Sequence, residues 1–148
     1  MLKDLLFAHC QHYIKAKQLL LEKQKEALQL ALTSESKSSA GDKHETGRAM
    51  IQLEREKLGN QIAEVEQNQQ KLNAIKNHKR TESVTIGSIV LTDQANYFIA
   101  IAADFCEYEG KKYYCISPQS PMGVRLLGKK VKGQIEFNAR LSTLLEIL

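Results

Sequence analysis

The sequence predicts an α+β protein: an N-terminal antiparallel α-helical hairpin over residues 1–80, followed by a small β-rich domain over 81–148. Three observations carry this. The first eighty residues contain no proline and only Gly41, Gly47 and Gly59 as glycines, and they are rich in Leu, Lys, Gln, Glu and Ala, which favour helix. Apolar residues recur at a spacing of seven, as Leu6, Tyr13, Leu20 and Ala27 and again as Ile51, Leu58, Val65 and Leu72. That repeat marks helices packed along a narrow seam. Beyond residue 81 the texture changes, and seven of the nine aromatic residues lie there.

The first helix is expected to end within Thr33-Ser34-Glu35-Ser36-Lys37-Ser38-Ser39-Ala40-Gly41. Its serines compete for backbone hydrogen bonds, and Gly41 allows a turn. Each arm then has about 30 residues, roughly 45 Å of helix, and a short connection folds the second arm back on the first. The seam has polar interruptions at or near Lys23, Gln69 and Lys76.

In the second half, Val84–Ile86, Ile89–Leu91, Tyr97–Ile101 and Tyr113–Ile116 are β-branched and aromatic runs bounded by turn residues, the pattern of strands. Pro121 followed by Met122 to Leu127 and Gly128 reads as a short helix with proline at its start and glycine past its end. Residues 134–138 and 144–148 supply closing strands.

Charge and cysteine content narrow the setting. Residues 1–80 carry 14 Lys+Arg against 10 Asp+Glu, whereas residues 81–148 carry seven of each. The whole excess of +4 therefore lies on the helical half, which fits a phosphate- or carboxylate-rich partner but equally a solvated helix face. Cys10, Cys106 and Cys115 lack CxxC spacing and read as reduced cytosolic thiols. No run of 18 apolar residues and no signal-peptide pattern is seen, so a cytoplasmic protein without a membrane association is expected.

The segment Gly41-Asp42-Lys43-His44-Glu45 stands out by position, between the two arms. Asp42 and Glu45 are three apart, a spacing that suits a helix N-terminus: an Asp cap, a Glu reaching back, and both charges at the positive end of the dipole. On spacing alone the cap is the favoured reading, since such pairs open many ordinary helices. His9 and His12, three apart on the first helix, have no third ligand in view and read as ordinary helix positions. His44 has no nucleophile or pocket to serve.

Gly41-Asp42-Lys43-His44-Glu45 resembles the acidic tip motif, Gly-Asp-x-x-Glu-Asn, of the Gre-type transcript cleavage factors, in the same place between two coiled-coil arms. Ile116-Ser117-Pro118-Gln119-Ser120-Pro121-Met122-Gly123-Val124-Arg125-Leu126-Leu127-Gly128-Lys129 is similar to a second stretch of that family, Ile-Ser-x-x-Ser-Pro-Ile-Ala-x-Ala-Leu-Ile-Gly-Lys. As in the family, a turn (Lys132-Gly133) and a strand (Gln134–Phe137) follow. The resemblance implies an FKBP-like C-terminal domain seated at the mouth of the secondary channel of RNA polymerase, with Ser120 and Pro121 in the polymerase-binding loop. It implies that the hairpin enters the channel of complexes backtracked on DNA. There Asp42 and Glu45 help hold a second Mg²⁺, shared with the polymerase, against the nascent RNA 3′ end. The polymerase itself then cuts, so the factor is a catalytic accessory and not an enzyme. The chain departs from the pattern at Lys43, where an apolar residue is usual, and at Thr46-Gly47-Arg48-Ala49, which replaces Asn-Ala-Glu-Tyr. These changes leave the two acids in place, and they keep open a channel-binding regulator without cleavage activity. A coiled-coil structural adaptor, with Asp42 and Glu45 serving only as caps, is the reading from a different class.

Overall fold

A computed structural model of the chain describes residues 1–36 and 41–148, with the side chains of residues 35–44 outside the description. Helix α1 spans Leu2–Ser36 and helix α2 spans Gly41–Ala74. Both helices outrun the expected arm length by a few residues. The chain divides into two compact units, one formed by Met1–Tyr13 with Gln69–Leu148 and the other by Ile14–Asn68. The composition break at residue 81 falls between the end of α2 and the first strand.

The unit Ile14–Asn68 is a helical hairpin. A groove lined by Gln18, Leu21, Ile62 and Val65 gives way further along to one lined by Leu28, Leu32, Ile51 and Leu58. Rising numbers on α1 thus meet falling numbers on α2, which makes the pair antiparallel. Leu21, Leu58 and Val65 are buried. On α2 the expected line of Leu58, Val65 and Leu72 is buried as read, with Ile51 half-buried. On α1 the line is different: Leu20 is 52% exposed, Ala27 is also exposed, and the buried positions are Leu6, Cys10, Ile14 and Leu21. The buried stripe on α1 runs in steps of four through Leu6, Cys10 and Ile14 and then one step of seven to Leu21, which places it one position past the expected Tyr13 and Leu20.

The other unit is built on a mixed six-stranded sheet. The strands are β1 (Ile89–Thr92), β2 (Asn96–Ile99), β3 (Cys106–Tyr108), β4 (Lys111–Ile116), β5 (Gln134–Phe137) and β6 (Arg140–Ile147). Their spatial order is β3-β4-β2-β1-β6-β5. All neighbours are antiparallel except β2 and β4, which run parallel. Two hairpins close in two residues with positive φ at both, Glu109-Gly110 and Asn138-Ala139, the geometry whose twist matches that of paired strands.

Three sequence expectations need correction here. Val84–Ile86 is not a strand. Val84 is buried, but the chain turns, with the Ser88 N–H donating to the Thr85 carbonyl and Gly87 at φ +97°; only Ser83 makes a β-bridge, to Lys130. Conversely, Cys106–Tyr108 is a strand although it has three residues and a central glutamate, too little pattern to announce itself. The last strand also begins at Arg140, four residues before the expected Leu144.

Helix α3, Pro121–Leu126, packs against one face of the sheet. Leu126 joins Val84, Val90, Ile99, Ile135, Leu144 and Ile147 in one buried cluster, with Tyr97, Ile116 and Met122 against it. On the opposite face, Ile89, Phe98 and Cys115 are register partners and all are buried.

The first turns of α1 and the end of α2 are held within this same unit. Gln11 and Gln69 exchange two amide hydrogen bonds, at 2.8 and 3.0 Å, and Gln69 also donates to Asn73 Oδ1 at 2.8 Å. The polar interruption at Gln69 is therefore satisfied across the helix pair. His9 Nε2 lies 2.7 Å from the Asp104 carbonyl oxygen. Lys3 Nζ donates to His78 Nδ1 at 3.0 Å, which leaves His78 Nε2–H to donate to Thr85 Oγ1 at 3.0 Å.

Candidate functional site

The two candidate carboxylates belong to the first turns of α2. The backbone of Asp42 and Glu45 is helical, because the helix opens at Gly41. Glu45 is exposed and forms no ion pair with a described residue, and Arg48 one turn later is exposed as well. The side chain of Asp42, like those of Lys43 and His44, lies outside the described residues, as does the segment 37–40. With the helix already begun at Gly41, Asp42 has the backbone of a first-turn residue and not of an N-cap, a place that suits its charge to the helix dipole and is compatible with a metal-ligand role.

Fit to a divalent cation rests on the donor set. Mg²⁺ is ordinarily held by one or two carboxylates together with phosphate oxygens and water. An exposed glutamate without an ion pair among the described residues suits that partial role. Among the described residues no cluster of three or more His, Cys, Asp or Glu side chains has metal-site geometry. His9 and His12 do not form one: His9 lies against the Asp104 carbonyl, and His12 is exposed.

The second candidate region is the corner between β4 and α3. Ser120 is the N-cap of α3: its Oγ accepts from the Gly123 N–H at 3.0 Å and donates to the Ser117 carbonyl at 2.6 Å. Pro121 follows in the first turn, where its missing N–H costs nothing. Ser117 Oγ accepts from the Gln119 N–H and donates to its Oε1. Gly123 has no room for a Cβ, which would collide with the Ser117 carbonyl oxygen. The corner is therefore fixed before any partner arrives, and Gly128 at φ +82° lies just past the helix end as expected.

Sequence reading passed over Arg125. Its Nε donates to the Glu136 carbonyl at 3.1 Å, its Nη1 to the Pro121 carbonyl at 2.9 Å, and the guanidinium lies 5.1 Å from the Phe137 ring centroid. An exposed cation is thereby pinned beside Ser120 and Pro121. No local motif could have shown this, since its partners lie a turn away and on β5.

No family model matches the sequence, and no curated protein matches it. Solved structures do. A structure of the transcription factor Gfh1 aligns over 91% of this chain and 92% of its own, with 19% identity and a TM-score of 0.35. GreA factor homolog 1 (Gfh1) of Thermus thermophilus aligns over 96% and 94%, with 16% identity and a TM-score of 0.36. Thermus aquaticus Gfh1 aligns over 93% and 94%, with 19% identity and a TM-score of 0.34. The structural neighbours of this helical hairpin and mixed six-stranded sheet are Gre-type transcription factors, homologues of GreA.

Proposed function

We propose that the chain is a Gre-type factor that binds RNA polymerase through its secondary channel and stimulates the polymerase's own cleavage of backtracked RNA. The observation that carries this reading is the pairing of two motif stretches on one chain, each in a fitting element. Gly41–Glu45 opens the second arm of a helical hairpin, and Ile116–Lys129 forms a rigid strand-to-helix corner capped by Ser120. Either stretch alone is short; their order and spacing together are much more specific.

The mechanism follows from what these residues do. Helix α2 fixes the backbone that carries Asp42 and Glu45, so the polypeptide at this point need not be ordered at the moment of reaction. Placed beside the polymerase's carboxylates and an RNA phosphate, the two side chains complete an oxygen-ligand set that neither protein holds alone. Asp42 and Glu45 would be this chain's contribution to holding a second Mg²⁺, which when bound would supply charge stabilisation for the phosphoryl displacement. Arg125, Ser120 and Pro121 serve the docking of the β-rich unit to the polymerase. RNA polymerase and the nascent RNA 3′ end are thus the partners, and the chain by itself cleaves nothing.

The test of docking is a photocrosslinker at position 45 in the presence of core polymerase. Crosslinks to the RNA 3′ end or to the polymerase catalytic centre support the reading. Failure to bind polymerase at all overturns it in favour of the structural adaptor. Binding without cleavage selects the channel regulator, to which Lys43 and Arg48 would contribute by placing cations where the family usually has an apolar and an acidic residue.

A further inference from the structure

Residues 81–148 carry as many acids as bases, yet the two signs are kept apart. Lys129, Lys130 and Lys132 fall in the loop between α3 and β5, and no acid occurs from residue 126 to residue 135. Asp104, Glu107 and Glu109 lie on and around β3, at the far edge of the sheet. The Lys132 N–H donates to the Leu144 carbonyl, which places the lysine loop beside β6, four strand spacings from β3. At about 4.8 Å per spacing that is roughly 20 Å, about twice the screening length at physiological salt. The acids therefore do not cancel the lysines. All three lysines are exposed, and none forms an ion pair with a described residue.

The loop that carries them is pinned. The Val84 N–H donates to the Lys129 carbonyl at 2.8 Å, Ser83 forms a β-bridge to Lys130, and the Gly133 N–H donates to the Lys130 carbonyl at 2.9 Å. Lys132 holds φ +72°, a left-handed conformation that glycine takes without strain. A strained backbone that presents a long cationic side chain points to a working surface. Beside it runs a groove lined by Arg80, Glu82, Lys130 and Val131. Arg80 has a long, exposed contact, Nη2 to Glu146 Oε1 at 3.8 Å, which another anion displaces at little cost. Four cations thus face two acids, Glu82 and Glu146.

We propose that Lys129, Lys130, Lys132 and Arg80 form a contact surface for the phosphate backbone of double-stranded DNA, without reading of bases. The chemistry of the surface selects this occupant. A single strand is held by rings on which its bases stack, and the half-exposed rings of Phe105 and Tyr114 lie near the β3 edge instead. Carboxylates of an acidic protein are best gripped by the arginine fork. Three of these four cations are lysines, point charges that serve as phosphate binders. The acids around β3 add direction, because a duplex is drawn to the lysine edge and repelled from the opposite one. The surface is independent of Asp42 and Glu45 and of the reading given to them.

The experiment titrates the full chain into a short fluorescein-labelled DNA duplex of arbitrary sequence, without polymerase, and follows anisotropy across a salt series. Binding is expected, with log K falling against log salt at a slope of about −3, as three to four phosphate contacts require. Lys129→Gln/Lys130→Gln/Lys132→Gln should weaken binding by at least about tenfold and flatten the slope to about −1. Lys132→Gly, which relieves the strained φ, should raise Tm and still flatten the slope by about 1, a pair of effects that misfolding does not produce. Glu82→Gln should tighten binding. Removing the same charge from α1, as Lys15→Gln/Lys23→Gln/Lys25→Gln, should leave the slope unchanged. No binding at low salt, a slope unaltered in the loop variant, or an equal loss in the α1 variant overturns the proposal. Tighter binding to the corresponding single strand, or to polyglutamate, overturns the choice of duplex DNA.

Discussion

At the scale of single residues, His78 links three parts of one unit. It accepts from Lys3 on α1, donates to Thr85, and sits so close to Gly87 that an added Cβ would lie 2.6 Å from its Cγ. Burial and the adjacent Lys3 charge hold its pKa below the ordinary value. The unfolded chain therefore binds more protons than the folded one between that lowered value and about 6.5. The contribution of His78 to stability is complete above the ordinary histidine range and is lost as pH falls through it. Urea unfolding between pH 7.5 and 5 should show a midpoint that drops with acidity, and His78→Gln should flatten part of that drop. A Gly87→Ala chain should lose stability, because φ +97° and the imidazole both oppose a side chain. None of this was legible in the sequence, since Lys3, His78 and Thr85 are ordinary residues until the fold brings them together.

At the scale of elements, the sequence was legible wherever a long pattern repeated. The two helices, the Ser-Pro start of α3 and the strands around Ile89, Phe98 and Tyr114 all follow from local composition. It failed where tertiary context decides: β3 exists because β4 pairs with it, and Val84–Ile86 turns because Ser88 takes the Thr85 N–H. Replacing the cap by Ser120→Ala removes an acceptor for Gly123 N–H and should cost about 1 kcal/mol, read from the chemical denaturation midpoint. At the second hairpin Ala139 holds φ +62°, where a left-handed L-residue costs about 1 kcal/mol. Ala139→Gly should therefore raise the melting temperature. The helical seam makes an opposite forecast: Val65→Ala, at a buried position of α2, should lower stability by about 1–3 kcal/mol.

At the scale of the whole molecule, the candidate site was legible only in part. Asp42, Glu45, Ser120 and Pro121 stand in stretches a reader can find, whereas Arg125 became visible through its fold partners. Spacing alone favours a helix cap over a metal ligand at Asp42 and Glu45, yet both tasks ask for acids at the first turn of a helix. Function separates them. The most direct measurement adds the purified chain to stalled, backtracked polymerase complexes carrying labelled RNA and Mg²⁺. Shortened RNA with the wild type, and loss of at least about 100-fold in cleavage rate with Asp42→Asn/Glu45→Gln at unchanged polymerase binding, is the expected result. RNA that shortens equally well with both acids neutralised would contradict the account.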